Sequence, residues 1–541
     1  MANAIFSYPK AVNEPVFSYA PGTPERELLQ KELDKQYNQE IEIPLIIGGK
    51  EIFTGNTEKA VMPTEHGHVL ATYHQAGEKE ILMAIDAAME AKKEWAKLPV
   101  EDRASIALKA AELISKKYRY ILNAATMLNQ GKTSIQAEID SACEICDFLR
   151  FNVEYMEDIY REQPISSPGC FNRVDYRPLE GFIFAVTPFN FTAIAGNLPT
   201  APAIMGNTAV WKPASTAVVS GYYLMQVFKE AGFPDGVINF IPGRGSQVGN
   251  IVMNHEDLGG IHFTGSTGVF HQMWKTVGEN IAKYKSYPRI CGETGGKDFI
   301  FAHKSANKEI LATAMVRGAF EYQGQKCSAA SRAYIPKSIW GEVKELMAKQ
   351  IKEIKVGCVR DFSSFMTAVI DKKAFDEITS YITRAKESKD AEILFGGNFD
   401  DSKGFFIDPT VIEAKTPNYE TMEIELFGPV LTVYVYEDDK FEETLNICDT
   451  TSEYGLTGSI IAQDRLAARF AIDKLENAAG NFYINDKPSG AVVGQQPFGG
   501  SRASGTNDKA GSKLNLLRWV SPRTIKETFI APTDFKYPHQ G

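Results

Sequence analysis

From Gly181 to about Ile281 the chain alternates short apolar runs with segments of helix length, and this rhythm restricts its fold more than any other feature. Gly181-Phe-Ile-Phe-Ala-Val186, Thr208-Ala-Val-Trp-Lys212, Gly236-Val-Ile-Asn-Phe-Ile241 and Gly259-Gly-Ile-His-Phe-Thr264 read as buried strands, with helices over Ser215 to Ala231 and Ser266 to about Ile281. Strand and helix at this pitch predict right-handed βαβ units and a mostly parallel sheet covered on both faces. Such a sheet receives ligands at the carboxyl ends of its strands.

A second alternating region runs from near Phe299 to about Tyr483. Its expected helices are Lys304 to Tyr322, Trp340 to Lys355 and Lys372 to Lys386, and its expected strands are LTVYVY, LTGSIIA and NFYIN. This is a second α/β domain. Ahead of both regions, helical periodicity covers Glu25 to Gln39, Lys79 to Lys97, Glu101 to Gln130 and Thr133 to Tyr160. Pro488 to Gly511 is one long glycine-rich loop, and its apolar and aromatic members favour a functional loop over a disordered one. Leu516 to Ile530 alternates apolar and polar residues, so it is expected to pair with an exposed strand, such as one of a partner subunit.

The 541 residues allow two to four domains, at roughly 150 residues each. With 58 basic and 68 acidic side chains the formal charge is −10. No Lys/Arg block is present, which excludes the electrostatic footprint of a nucleic-acid or anionic-membrane binder. No apolar run approaches the roughly 18 residues needed to span a bilayer. Seven cysteines, odd in number and irregular in spacing, imply a reducing compartment rather than a disulfide scaffold. The N-terminal MANAIFSYPKAVNEP has neither the build of a secretory signal nor Arg-rich transit character. The expected location is therefore cytoplasmic, or the mitochondrial matrix if a presequence has been removed. Eight scattered histidines at no ligand spacing give no metal site.

Three motifs resemble sites and are set aside. Pro242 to Gly249 carries its third glycine one residue late for a dinucleotide fingerprint, Gly292 to Lys297 has the wrong spacing for a P-loop, and Cys143-Glu-Ile-Cys146 lies mid-helix. A stronger constellation remains. Gly324-Gln-Lys-Cys327-Ser-Ala-Ala-Ser331 places a cysteine in a small-residue turn, where it reads either as a reactive thiol or as a packed small residue. Glu293, among glycines 34 residues upstream, suits a mobile general base. Asn190, in Thr187-Pro-Phe-Asn-Phe at a strand's end, is either a turn-stabilising amide or a donor to an oxyanion. Phe263-Thr-Gly265-Ser266 forms a strand-to-helix turn fit for a pyrophosphate. Together they point to oxidation of an aldehyde with a dinucleotide.

Thr187 to Phe191, Trp211-Lys-Pro213, Phe263 to Gly268, Glu293 to Lys297, Gly324 to Ser328, Glu425-Leu-Phe-Gly-Pro429 and Pro497-Phe-Gly-Gly500 resemble, in order and spacing, the NAD(P)-dependent aldehyde dehydrogenase superfamily. The resemblance implies an α/β fold of that family in three parts. A Rossmann-type NAD-binding domain would cover residues 1–160 and 180–290, a catalytic domain 291–505, and a small β bridging element for oligomerisation 161–179 and 506–541. It further implies Cys327 as nucleophile, Asn190 and the Cys327 N–H as oxyanion donors, and Glu293 as the base for hydrolysis. For NAD it implies Lys212 at the adenosine ribose, Gly265, Ser266, Thr267, Gly268 and Val269 at the pyrophosphate, Glu425 at the nicotinamide ribose, Phe427 against the ring and a backbone contact from Thr187. Ser215 stands where NAD-selective members often carry Glu, so exclusion of NADP does not follow.

Asn13-Glu-Pro15, the early Glu25-Arg-Glu helix, Gln136 to Asp140, Gly324 to Arg332, Val493 to Phe498 and Ala503 to Asn507 are similar to the branch of this family acting on L-glutamate γ-semialdehyde. That branch implies NAD-dependent oxidation of the semialdehyde to L-glutamate, the second step of proline catabolism, with functional coupling to a proline dehydrogenase and a homodimer or higher oligomer. The substrate carboxylate would meet the N–H groups of Gly490 and Ala491 and the hydroxyl of Ser328, its ammonium Glu144, and its aliphatic chain Phe191 and Phe498. Ala491 replaces a serine found in some relatives. Another semialdehyde or transfer to CoA is the alternative within enzymes, and Glu293 argues for hydrolysis. A DNA-binding or structural role, as in a fusion with a proline dehydrogenase, is disfavoured by the chain's length and acidity.

Overall fold

The computed structural model describes residues 7–541, so the first six residues of the N-terminal segment lie outside the described residues. Two seven-stranded sheets organise the chain. The first runs in the order Arg289–Glu293, Leu258–Thr264, Phe182–Val186, Ala209–Lys212, Ile238–Phe240, Leu45–Ile47 and Lys50–Ile52. Its first five strands are mutually parallel, and an antiparallel pair closes the far edge. From Phe182–Val186 the chain steps outward to Ala209–Lys212 and Ile238–Phe240, then returns to the other flank with Leu258–Thr264. The order therefore reverses between Phe182–Val186 and Leu258–Thr264. That reversal opens a crevice beyond their carboxyl ends, the general position of ligand sites in such sheets.

The second sheet runs Ala391–Phe395, Thr410–Ala414, Val430–Tyr436, Ala330–Pro336, Asp298–Ala302, Thr457–Ile461 and Asn481–Ile484. It is parallel apart from its Ala391–Phe395 edge. Arg289–Glu293, which spans the expected domain boundary at residues 290/291, pairs within the first sheet. A third element is a two-stranded antiparallel ribbon, Cys170–Pro178 with Val520–Thr528, in register from Pro178↔Val520 to Cys170↔Thr528. The strand-like tail thus finds a partner inside its own chain, and its row of exposed residues, with Phe171 among them, is left on an open ribbon.

Two expected helices are interrupted. Glu101 to Gln130 becomes Val100–Leu113 and Arg119–Gln130 around a π-type turn at Ile114–Tyr118, and Thr133 to Tyr160 carries another at Glu138–Glu144 before Ile145–Arg161. Inserting one extra residue in a turn leaves the apolar periodicity nearly intact, so the pattern does not announce it. The second turn has a use. It brings Asp140 to the helix Thr192–Ile204, where its two oxygens accept from the N–H groups of Thr192 (2.9 Å) and Ala193 (2.8 Å). Asp140 also accepts from Lys132 Nζ at 2.8 Å, with both side chains fully buried. The ammonium of Lys132 in turn sits 3.8 Å over the Phe191 ring.

Lys132→Met leaves the Asp140 charge buried without its counter-ion. The expected loss of stability is about 3–5 kcal/mol, with much of it recovered when Asp140→Asn is added. Urea unfolding followed by tryptophan fluorescence measures it; a loss no larger than that of an exposed lysine would remove the pair from the list of structural anchors.

Candidate active site

Segments attached to both sheets line one cavity of about 300 Å³. Glu293 reaches it from the end of the first sheet's edge strand, and Cys327 and Ser328 reach it from the turn that feeds the second sheet's Ala330–Pro336 strand. Glu144, Phe191, Gly490, Ala491 and Phe498 line the same cavity. Eight residues taken from six stretches of sequence are thus brought together.

The cysteine turn is built by three successive left-handed residues, Tyr322, Gln323 and Gly324, with φ of 54°, 55° and 67°. A Cβ on Gly324 would stand 2.2 Å from the Gly428 carbonyl oxygen, so no other residue fits there. Tyr322 and Gln323 accept this conformation because they are pinned. Tyr322 Oη donates to Gln130 O (2.9 Å), Gln323 Nε2 to Gly131 O (3.0 Å), and Ile370 N to Gln325 Oε1 (2.8 Å). Cys327 is 9 % exposed. Burial, followed by the nearby Glu293, pushes its thiol well above the usual range, so the resting group is S–H.

Glu293 is held by main-chain bonds on both sides. Its carbonyl accepts from Gly265 N (3.2 Å), while Thr294 N donates to Ser504 O (3.0 Å) and Thr506 N to Gly292 O (2.9 Å). Burial raises its carboxyl to about 8, and Lys509 opposes that rise. A carboxylate so destabilised has the basicity a general base needs near neutrality.

Asn190 is buried, yet it does not line the cavity directly. Its Nδ2 donates to Gln325 O at 3.1 Å, two residues before Cys327. That carbonyl can only accept, which fixes the amide's orientation and leaves its second N–H uncommitted. Asn190 is therefore tied to the turn whose oxyanion it would serve.

The residues expected at a dinucleotide cluster at the first sheet's reversal point. Thr187 follows Phe182–Val186; its N–H donates to Lys212 O (3.2 Å) and its Oγ1 accepts from Trp211 Nε1 (2.9 Å). Lys212 has no ion-pair partner among the described residues, and burial lowers its ammonium to about 8. Such an unpaired, desolvated ammonium fits ribose hydroxyls. Ser266 precedes the 13-residue helix Thr267–Glu279 without capping it by its side chain. Thr267 Oγ1 donates to Ala503 O (3.3 Å), whereas Gly268 and Val269 are exposed, and a Cβ on Gly268 would meet nothing within 4 Å. An open helix start with free first-turn N–H groups suits a pyrophosphate. Ser215 is exposed beyond Lys212. Glu425 accepts from Gly296 N (2.8 Å), and burial raises its carboxyl to about 7. Phe427, at φ 54°, packs edge-on against Phe189 with centroids 5.8 Å apart. The set fits NAD.

At the cavity, Arg317, Glu321, Lys326 and Lys487 were not anticipated. Arg317, Lys326 and Lys487 all surround Glu321, at 3.0, 3.0 and 3.9 Å. Burial alone would raise the Glu321 carboxyl, but these cations hold it down at about 2. Three cations on one carboxylate leave an unbalanced positive wall. Lys326 adjoins Cys327 in sequence and was visible on that ground alone; Arg317 and Lys487 carried no local signal. Glu144 has its carboxyl raised to about 8 by burial and then by Asp140, with no hydrogen-bond partner among the described residues. Lys297, buried beside Glu425 and without a hydrogen-bond partner, is lowered to about 7 by burial.

Comparison with known proteins gives a consistent picture. Residues 53–525 match the aldehyde dehydrogenase family. A mitochondrial delta-1-pyrroline-5-carboxylate dehydrogenase of Dictyostelium discoideum is 56 % identical over 98 % of this chain and 96 % of its own. The human mitochondrial enzyme of that name is 47 % identical over 98 % and 94 %. A crystal structure of delta-pyrroline-5-carboxylate dehydrogenase from Mycobacterium tuberculosis bound with NAD superposes with a TM-score of 0.96 at 50 % identity, covering 100 % of both chains.

Proposed function

The chain belongs to the aldehyde dehydrogenase family, and from that premise we propose that it oxidises L-glutamate γ-semialdehyde, the open form of 1-pyrroline-5-carboxylate, to L-glutamate with NAD. The observation that carries this reading is one cavity holding a cysteine, a carboxylate of raised pKa, and two regions of opposite character for a zwitterion. Arg317, Lys326 and Lys487 around Glu321, with the main chain at Gly490 and Ala491 and the Ser328 hydroxyl, form the wall suited to the substrate carboxylate. Glu144 faces the ammonium, and Phe191 and Phe498 flank the aliphatic chain.

Cys327 Sγ adds to the aldehyde carbon as the thiol proton passes to solvent water, forming a thiohemiacetal whose oxyanion is met by the Cys327 N–H and the free N–H of Asn190. Bound NAD supplies the two-electron acceptor that takes hydride from that carbon. Cys327 then carries a thioester. Glu293 removes a proton from water as the water attacks the thioester carbon, and Cys327 departs with the glutamate carboxylate released. Lys212, Ser266 to Val269, Glu425 and Phe427 would hold the dinucleotide, with Gly265 and Thr187 shaping the turns around it.

We assign residues 1–160 and 180–290 to dinucleotide binding, 291–505 to catalysis, and 161–179 with 506–541 to a bridging element. The open edges of the ribbon support a homodimer or larger assembly. A proline dehydrogenase is the class of enzyme that supplies the substrate. The mitochondrial relatives favour the matrix over the cytoplasm.

The test is NADH formation with 1-pyrroline-5-carboxylate beside propanal. The zwitterion is expected to give the higher kcat/KM, and a higher value for propanal would overturn the assignment. Glu144→Gln removes the carboxyl that the substrate ammonium would draw into its ionised form, and is expected to raise KM for the amino acid aldehyde about tenfold or more, with propanal unaffected. Equal changes for both aldehydes would take Glu144 out of the substrate site.

A further inference from the structure

Asn13 lies far in sequence from every group in the cavity, yet it bonds to both walls that the substrate reading uses. Its Nδ2 donates to Asp147 Oδ2 (2.8 Å) and to the Val493 carbonyl (2.8 Å), while its Oδ1 accepts from Gln495 Nε2 (3.0 Å). Both amide hydrogens and the amide oxygen are therefore committed. Asp147 stands three residues beyond Glu144, close to one turn further along the same helical segment. Val493 and Gln495 follow Gly490 and Ala491 in the glycine-rich loop.

The segment carrying Asn13 is itself fixed. Glu14 N donates to Asp147 Oδ1 (2.7 Å), and the Glu14 carboxylate accepts from Arg119 (2.6 Å), Arg150 (2.6 Å) and Ser115 (2.7 Å). On its other side the loop is pressed against the helix: a Cβ on Gly494 would stand 2.3 Å from a Phe151 ring carbon. The loop is thus gripped between Phe151 and Asn13.

Resting on the zwitterion reading above, we propose that Asn13 is a positioning residue for substrate specificity. By joining Asp147 to Val493 and Gln495, it sets the separation between the group that meets the ammonium and the main chain that meets the carboxylate. Neither the nucleophile turn nor the dinucleotide crevice depends on it. Its effect is confined to substrates that reach both walls at once, and an aldehyde without charged ends does not register the separation.

Steady-state kinetics of Asn13→Ala and Gln495→Met test this with 1-pyrroline-5-carboxylate and propanal in parallel. Asn13→Ala is expected to raise KM for the amino acid aldehyde about tenfold, with kcat within twofold and kcat/KM for propanal unchanged. Gln495→Met, which removes one of the three bonds from the far side, is expected to shift KM the same way by a smaller factor. The double variant should fall short of the product of the two single effects. Losses shared equally by both aldehydes would show a merely structural bond, and an unchanged KM in both single variants would remove Asn13 from specificity. The wild-type preference between the two aldehydes is measured in the same series, so failure of the substrate reading is seen separately from failure of the proposal.

Discussion

Cys327→Ala is expected to abolish NADH formation, by a factor on the order of 10⁴ or more, while leaving NAD affinity and thermal stability within error of the parent. The reasoning is local. The side chain is small and the turn around it is fixed by Tyr322, Gln323 and Gln325 rather than by the sulfur, so removing one atom does not release the loop. Among the described residues no other cysteine lines the cavity near Ser328: Cys291 is the only further one on its wall, buried within Glu293's own strand and accepting from Arg518 Nε at 3.4 Å. Rates of NADH appearance and calorimetric NAD titration give the two halves of the result. Turnover above one per cent of the parent in Cys327→Ala would sink the covalent mechanism.

Glu293→Gln separates the two halves of the reaction. Without the base, the thioester forms and then waits, so the expected trace is one NADH per active site followed by a steady rate lower by about 10²–10⁴. The pH dependence carries a sign. A base works in its ionised form, and burial raises this carboxyl to about 8. Below that pH the ionised fraction, and with it the rate of hydrolysis, rises with pH toward a plateau above about 8. Glu293→Gln flattens this limb. A full steady-state rate in the variant, or a wild-type limb falling with pH over the same range, would remove Glu293 from hydrolysis.

The alternating rhythm after Gly181 was enough to foresee a parallel sheet, because buried parallel strands must be continuously apolar and their connections must be helical. Cys327 and Glu293 stood out in the sequence for a different reason: Glu293 lies among glycines and Cys327 in a small-residue turn, where little local packing accounts for a reactive side chain. The positive wall was not legible. Arg317 comes from a helix, Lys326 from a turn and Lys487 from a loop, and only the fold brings them to one carboxylate. Asn13 was visible as part of a motif and silent as to purpose, since its partners lie 134 and 480 residues away. The π-type turns escaped because a single inserted residue perturbs backbone bonding more than it perturbs apolar spacing. The ribbon was half read: the tail's alternation indicated a strand, but pairing within the chain is a matter of topology.

Glu293 ends a strand of one sheet, and Cys327 stands in the turn that leads into the Ala330–Pro336 strand of the other. On the roles proposed above, the interval between nucleophile and base is therefore an interval between elements of two different sheets. A rigid-body shift of one against the other would change the lifetime of the acyl group on sulfur without touching the chemistry that put it there. With the proposed nucleophile on one sheet and the proposed water-activating base on the other, selection, or an engineer, has a means to retune the fate of the acyl group while the oxidation is conserved.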